Sequence, residues 1–501
     1  MLFNSFSFLI FFPVVVLVYF IIPKKIRYIW LLIASYYFYM SWNAKYALLI
    51  AFSTFVTWLS GILLGRYQQA GRDKTVCKWI VAGSFIVNLS ILGFFKYFDF
   101  ALQNVNLILS RFGIAVIEKP FDFILPVGIS FYTFQALSYT VDVYRQDIEP
   151  EKNILKYALF VSFFPQLVAG PIERSKNLLI QIGRMDEISH KELFDCSRIA
   201  GGLMIMLWGF FQKMVIADRI AVLVDTVFDA WYFYGTVELV IAAVAFSIQI
   251  YCDFASYSTI AIGAAKVMGF DLMENFNTPY FARSIQDFWR RWHISLSTWF
   301  KDYLYIPLGG NRCGRLRRHI NIMITFLVSG LWHGASWHYV VWGGIHGLYQ
   351  VIGAQTRSFR DRIYAKLDTK TDSFSYRFGQ GMITFVLTTF AWIFFRAQSL
   401  TQACSYIKRI FTKPDWWVLS DNSIYKLGLK LPEMNILFTS LLIMLCVSLV
   451  RYKYEEALDT FLAKQCLWFQ WLVVAVLFAF IFLFGIYGPG YDASQFIYFQ
   501  F

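Results

Sequence analysis

Charge is scarce in this chain. Only 15% of its 501 residues are Asp, Glu, Lys or Arg, against roughly 25% in an average soluble domain. With 58% hydrophobic residues and a mean hydropathy of +0.52, too few polar side chains remain to cover a water-facing surface. That excludes an ordinary soluble enzyme and a disordered chain alike. Cysteine is no framework either. Cys77, Cys196, Cys252, Cys313, Cys404, Cys446 and Cys466 are scattered and form no C-x-x-C pair, so neither a disulfide scaffold nor a zinc site is indicated. The chain contains no G-x-S-x-G, no Walker A, no G-x-G-x-x-G opening a helix and no H-E-x-x-H. Serine-hydrolase, nucleotide and zincin chemistry therefore have no local signature. An internal repeat or inverted symmetry, which a transporter would favour, is also missing. The N-terminus lacks a basic region and a small-residue cleavage site, so Met1 to Ile22 reads as a retained first span rather than a cleaved signal.

What the chain does have is aromatic and aliphatic bulk. There are 53 Phe, 30 Tyr and 17 Trp, and the apolar runs are continuous rather than alternating. Lipid admits only helices or closed barrels, and continuous runs argue for helices. The expected fold is all-α and polytopic. A span needs about 20 apolar residues, and 3–22, 46–64, 79–95, 124–141, 378–395, 434–450 and 467–486 qualify. Shorter candidates are 28–42, 157–172, 199–212 and 239–252, and the stretch Ile320 to Thr356 has no Asp, Glu, Lys or Arg. It holds two spans, or one span and a re-entrant segment. Together these predict roughly eleven to thirteen membrane segments. The short ones imply half-spanning helices shielded inside a protein ring around a cavity.

The net charge of +13 sits largely in short loops beside apolar segments, as the positive-inside bias requires, so no nucleic-acid partner is expected. Lys24, Lys25 and Arg27 follow the first span, and Arg451, Lys453 and Lys464 precede the last. Both termini are thus expected outside the cytoplasm.

Ionisable groups in apolar surroundings are expensive and suggest function. His333, His338 and His346 lie in SGLWHGASWHYVVWGGIHG, inside the uncharged stretch. A buried neutral imidazole at His333 is a candidate general base at neutral pH, and the flanking Gly330 and Gly334 allow a close approach. The bland alternative is a buried histidine satisfied by a carbonyl. Metal ligation is disfavoured, since His333 and His338 are five apart and diverge on a helix. His293 lies in DFWRRWHISLSTWFKDYLYIPLGGNR, where aromatic and basic residues alternate. That pattern suits an interfacial helix, and a basic rim attractive to a phosphate-bearing donor. Arg290, Arg291, Trp292, Asn311 and Trp332 are the candidate substrate-binding residues. Asp142 and Asp253 are two further carboxylates near membrane depth, each expected to pair with an arginine. A base without a protein nucleophile motif fits transfer to a substrate hydroxyl.

Long motifs then appear in one order: LPVGISFYTFQALSYTVDVYR (125–145), FFPQLVAGPIER (163–174), YCDFASYSTIAIGAAKVMGF (251–270), NFNTPYFARSIQDFWRRWHISLSTWFKDYLYIPLGGNR (275–312), LVSGLWHGASWHYVVWGGIHG (327–347) and WIFFRA (391–396). Through them the chain resembles the membrane-bound O-acyltransferases, in particular the bacterial branch that modifies cell-envelope polymers. The resemblance implies a ring of helices around a funnel. It implies His333 as the central catalytic histidine and His293 as the second. It divides the chain into a core, 1–396, and a helical extension, 397–501, whose length suits polysaccharide O-acetylation. It further implies a cytoplasmic thioester donor, acetyl-CoA or an acyl-carrier protein, with no bound cofactor and no metal. It implies a polysaccharide acceptor, a separate extracytoplasmic SGNH-like partner and residence in the bacterial plasma membrane. Related machinery carries acyl groups on a C-terminal tyrosine, which points to Tyr498 in ASQFIYFQF as a covalent relay. The alternatives are D-alanyl transfer to teichoic acid and transport of an envelope precursor.

Overall fold

The structure, a computed structural model, describes residues 1–71, 74–119, 125–168 and 170–488. Among these residues every regular element is helical and no strand occurs. Among the described residues seven helical stretches are long and apolar enough to cross a membrane: Ala44–Gln69, Lys74–Arg111, His190–Asp229, Thr236–Val267, Phe374–Arg396, Leu431–Tyr454 and Leu467–Phe484. The chain is a multi-pass helical membrane protein. It divides into two compact units, Met1–Met206 with Ser258–Met273, and Leu207–Tyr257 with Glu274–Phe501.

The α-helices of seven residues or more are numbered in chain order. The first unit holds α1 (Phe6–Ile21), α2 (Arg27–Met40), α3 (Ala47–Gln69), α4 (Lys74–Leu92), α5 (Phe98–Arg111), α6 (Ile129–Tyr144), α7 (Ile154–Ser162) and most of α8 (Cys196–Phe210). Its centre is α6, which packs on α3 and α4. The run 124–141 reads as a span in the sequence, yet α6 has only 16 residues and nearly all are buried. Its polar side chains are satisfied by neighbours. Gln135 Nε2 donates to the Phe160 carbonyl at 2.6 Å, and Asp142 accepts from the Ser175 hydroxyl at 2.5 Å. The helix starts after Gly128, whose φ of 73° and approach to the Leu167 carbonyl leave no room for a Cβ.

The second unit holds α9 (Asp218–Asp229), most of α10 (Thr236–Val267), α11 (Ile285–Arg291), α12 (Ile294–Phe300), α13 (Arg315–His333), α14 (Trp337–Gln355), α15 (Arg357–Lys366), α16 (Phe374–Arg396), α17 (Leu400–Thr412), α18 (Leu431–Tyr454) and α19 (Leu467–Phe484). The runs 199–212 and 239–252 look short in sequence, but they belong to two of the longest helical stretches, His190–Asp229 and Thr236–Val267. Polar residues interrupt the hydropathy without interrupting the helix, because they are paired inside the protein. Lys213 lies on a widened π turn, Phe211–Ala217, between α8 and α9. Its ammonium is 2.8 Å from Asp218 Oδ1 and also pairs with Asp253 Oδ1 on α10; all three side chains are buried. Asp253 therefore pairs with a lysine, not the arginine its surroundings suggest. The same widened turn receives the end of α19: Ile486 N–H donates to the Met214 carbonyl at 2.9 Å, and Arg219 Nη2 to the Phe484 carbonyl at 2.6 Å. A π turn frees carbonyls from the i→i−4 pattern, which suits it to hold an incoming chain end.

Removing one partner of a buried ion cluster leaves an uncompensated charge. Lys213→Met should therefore lower stability by about 3–5 kcal/mol. Adding Asp218→Asn and Asp253→Asn should recover much of that loss, and thermal unfolding of the detergent-solubilised protein checks both.

Candidate active site

Helices α13 and α14 form an antiparallel hairpin, and glycine sets how closely they pack. A Cβ on Gly343 would lie 2.2 Å from the Phe326 carbonyl oxygen, and one on Gly330 would lie 2.3 Å from the Tyr339 carbonyl oxygen. Gly347 faces Met323 in the same seam, and at the base Gln355 meets His319. Small residues let backbones approach and gain dispersion contact, which substitutes for the missing hydrophobic drive in lipid. At the tip, three residues (334–336) turn the chain. His333 is the last residue of α13, directly before the turn. Gly334 next to it is extended (φ −164°), and a Cβ there would overlap the Tyr339 ring at 2.1 Å.

The His333 imidazole is buried, 5% exposed, among aromatic rings. Trp342 lies 4.9 Å away, Trp332 5.0 Å and Phe395 of α16 5.5 Å between centroids. Trp342 stacks on Trp392 at 5.4 Å, and Trp392 contacts Trp292 at 5.0 Å. His293 completes the group, its ring 6.4 Å from His333 and 6.1 Å from Trp332.

His293 is held by a corner. Ser284 caps α11 by accepting from the Asp287 N–H at 3.1 Å, and Arg291 pairs with Asp287 one turn away at 3.0 Å. The helix stops at Trp292, and His293 takes φ +43°, the left-handed region, before α12 begins. The segment 275–277 straps this corner: Ile294 N–H donates to the Asn275 carbonyl and Asn277 N–H to the Arg291 carbonyl, both at 2.9 Å. Phe254 of α10 packs edge-on against the His293 ring at 4.6 Å. Complete burial, with His333 nearby, holds the His293 imidazole well below its ordinary pKa, so the ring is neutral.

The structure thus brings His333, His293, Trp332 and Trp292 into one buried cluster. Arg291 lies at its edge, engaged with Asp287, Thr278 and the Tyr452 ring. Arg290 is exposed, and Asn311 sits on an exposed turn accepting from the Tyr305 hydroxyl at 2.7 Å. Tyr498 lies outside the described residues. The other two histidines of the uncharged stretch have local partners. His338 Nδ1–H donates to the Phe394 carbonyl at 3.0 Å, and His346 Nδ1 accepts from Trp289 Nε1–H at 3.2 Å. Among the described residues no three His, Cys, Asp or Glu converge as metal ligands would. Sequence reasoning missed Asn275, Phe254, Trp342 and Phe395. None of these carried a signal that hydropathy or spacing separates from its neighbours.

Two buried imidazoles enclosed by tryptophans are groups able to accept a proton from a hydroxyl away from bulk water. The family model for the membrane-bound O-acyltransferase family matches residues 34–399. The probable alginate O-acetylase AlgI of Pseudomonas aeruginosa is 36% identical over 474 residues, 92% of this chain and 84% of that protein. The peptidoglycan O-acetyltransferase of Helicobacter pylori is 36% identical over 439 residues, 81% of this chain and 79% of that protein. The teichoic acid D-alanyltransferase of Bacillus subtilis is more distant, 26% identical over 238 residues, 46% of this chain and 59% of that protein. The chain belongs to the membrane-bound O-acyltransferase family and is an O-acyltransferase.

The glycine seam makes a prediction. Gly343→Ala forces a Cβ into backbone, so it should cost about 1–3 kcal/mol of overpacking and displace the hairpin tip, with activity falling in step. Gly353→Ala on the same helix meets nothing within 4 Å and should leave both intact. Melting temperature and acyl-transfer rate of the pair provide the check.

Proposed function

We propose that this enzyme moves an acetyl group from a cytoplasmic thioester across the membrane for O-acetylation of an extracytoplasmic polysaccharide. The observation that carries this reading is the buried His333–His293 pair in its tryptophan enclosure, in a chain similar over most of its length to the alginate and peptidoglycan O-acetylating relatives. In the proposed reaction His333 acts as general base. It takes the proton of the acceptor hydroxyl as the oxygen attacks the thioester carbonyl. The new C–O ester bond forms, the C–S bond breaks, and the proton passes to the departing thiolate. Acid–base assistance of this kind contributes about 10²–10⁴-fold. Exclusion of water by Trp292, Trp332, Trp342 and Trp392 would keep the thioester from hydrolysis. The basic residues Arg290 and Arg291 would attract a phosphate-bearing donor, with Asn311 and Trp332 as further substrate contacts.

The donor is acetyl-CoA or an acyl-carrier protein. The acceptor is either the hydroxyl of Tyr498, as a covalent relay, or a separate SGNH-like partner outside the cytoplasm that finishes the transfer to the polymer. Both termini are proposed to lie outside, in a bacterial plasma membrane.

Purified protein given an acetyl-labelled thioester tests this. Wild type should become labelled or pass label to an acceptor, and His333→Ala should lose the rate by about 10²–10⁴-fold. Loss of label in Tyr498→Phe supports the relay, whereas retained turnover assigns direct transfer to the partner. A D-alanyl carrier-protein thioester used in preference to acetyl-CoA would overturn the acetyl assignment in favour of D-alanyl transfer.

A further inference from the structure

The hydrogen bonds around Asn275 constrain which nitrogen of His293 carries its proton. Three groups converge on the Asn275 amide oxygen: His293 Nδ1 at 3.0 Å, the Ser295 hydroxyl at 2.9 Å and the Ser295 backbone N–H at 3.4 Å. The last can only donate. Turning the amide over would set its NH₂ against that N–H, donor facing donor, so Oδ1 is the atom presented. An amide oxygen can only accept, so His293 Nδ1 must carry a hydrogen. The backbone strap from 275–277 onto residues 291–294 fixes the amide relative to the ring.

We infer that Asn275 is a positioning residue, which locks His293 as the Nδ1–H tautomer and so reserves the lone pair of Nε2 as a hydrogen-bond acceptor at the transfer site. The inference rests on the proposed role of His293 beside His333. It leaves the His293 N–H engaged with Asn275, so this ring adds an acceptor and no competing donor beside His333. A ring free to exchange tautomers would present an Nε2–H part of the time, repelling the donor it has to orient. Ser295 is the second half of the device, since its backbone N–H forbids the flipped amide. The groups packed against the ring are Phe254 of α10, Asn275 and Phe276 of the strap, and Trp332 and His333 of α13. Of these, His333 is the one ionisable side chain.

The test is the pH profile of kcat/KM for wild type, Asn275→Asp, Asn275→Ala and His293→Ala, with the melting temperature of each. Asn275→Asp keeps the shape and an acceptor oxygen but adds a negative charge. An opposite charge at this distance raises an imidazole pKa by about 1–3 units. His293 then becomes protonated as pH falls through that raised value, and Nε2 stops accepting. The acid limb of the profile should therefore move to higher pH by about one unit or more, with near-normal rates retained above it. Asn275→Ala releases the tautomer and should lower kcat/KM about ten- to hundredfold across the whole range. The inference is overturned by an Asn275→Asp profile superimposable on wild type. It also falls if Asn275→Ala lowers only the melting temperature, which is what a merely structural amide would do. Full activity in His293→Ala would reject the proposed role of His293 itself, and the positioning role with it. An inactive His293→Ala beside unshifted Asn275 variants would reject the positioning role alone.

Discussion

The arrangement of this site depends on how closely two backbones can approach. Helices α13 and α14 touch through Gly330 and Gly343, at distances from facing carbonyls where no side chain fits, and Gly347 extends the contact against Met323. In lipid such contact is a source of cohesion, because aliphatic side chains gain little by leaving one apolar medium for another. The seam holds the hairpin tip, and the tip holds His333. The tryptophans around that ring come from several elements: Trp332 from α13, Trp342 from α14, Trp392 from α16, and Trp292 from the end of α11. Each large ring is positioned against the next, so displacement of the hairpin would propagate to the wall.

Polar groups in the two units follow one logic. Burying a charge is tolerable when partners come with it. Lys213 carries two carboxylates, Arg219 caps the last turn of α19, and Arg27 donates to the Ile188 carbonyl at 2.9 Å beside the His190 ring. Gln135, Gln166 and Tyr157 do the same in neutral form within the first unit. These pairings join elements far apart in the chain and specify which helix lies beside which.

Much of the membrane character was legible in advance. The long apolar runs of α3, α4, α16, α18 and α19 face little competition from polar residues, so hydropathy alone marks them. The same criterion shortened His190–Asp229 and Thr236–Val267, because it scores Lys213, Asp218 and Asp253 singly and cannot see that they neutralise one another. It also promoted α6 to a span, since burial in protein and burial in lipid select the same side chains. At the site, His333 and His293 stood out as ionisable residues among aromatics. Their proximity did not, because 40 residues and a strapped corner separate them. Asn275 was hidden for a related reason. Its importance lies in three donors meeting one oxygen, and two of those belong to Ser295, which no spacing rule connects to it.

The left-handed backbone at His293 has a bearing on what holds this corner. A non-glycine residue with φ near +43° carries a strain of about 1–3 kcal/mol. Glycine would adopt the same corner with no such penalty. That relief would come with the loss of a fully buried ring that packs on Phe254 and hydrogen-bonds Asn275, and emptying a buried site of this size costs about 2–5 kcal/mol. The side chain thus holds its own backbone in a conformation that the backbone alone would leave. A glycine there would loosen the strapped corner rather than relax it.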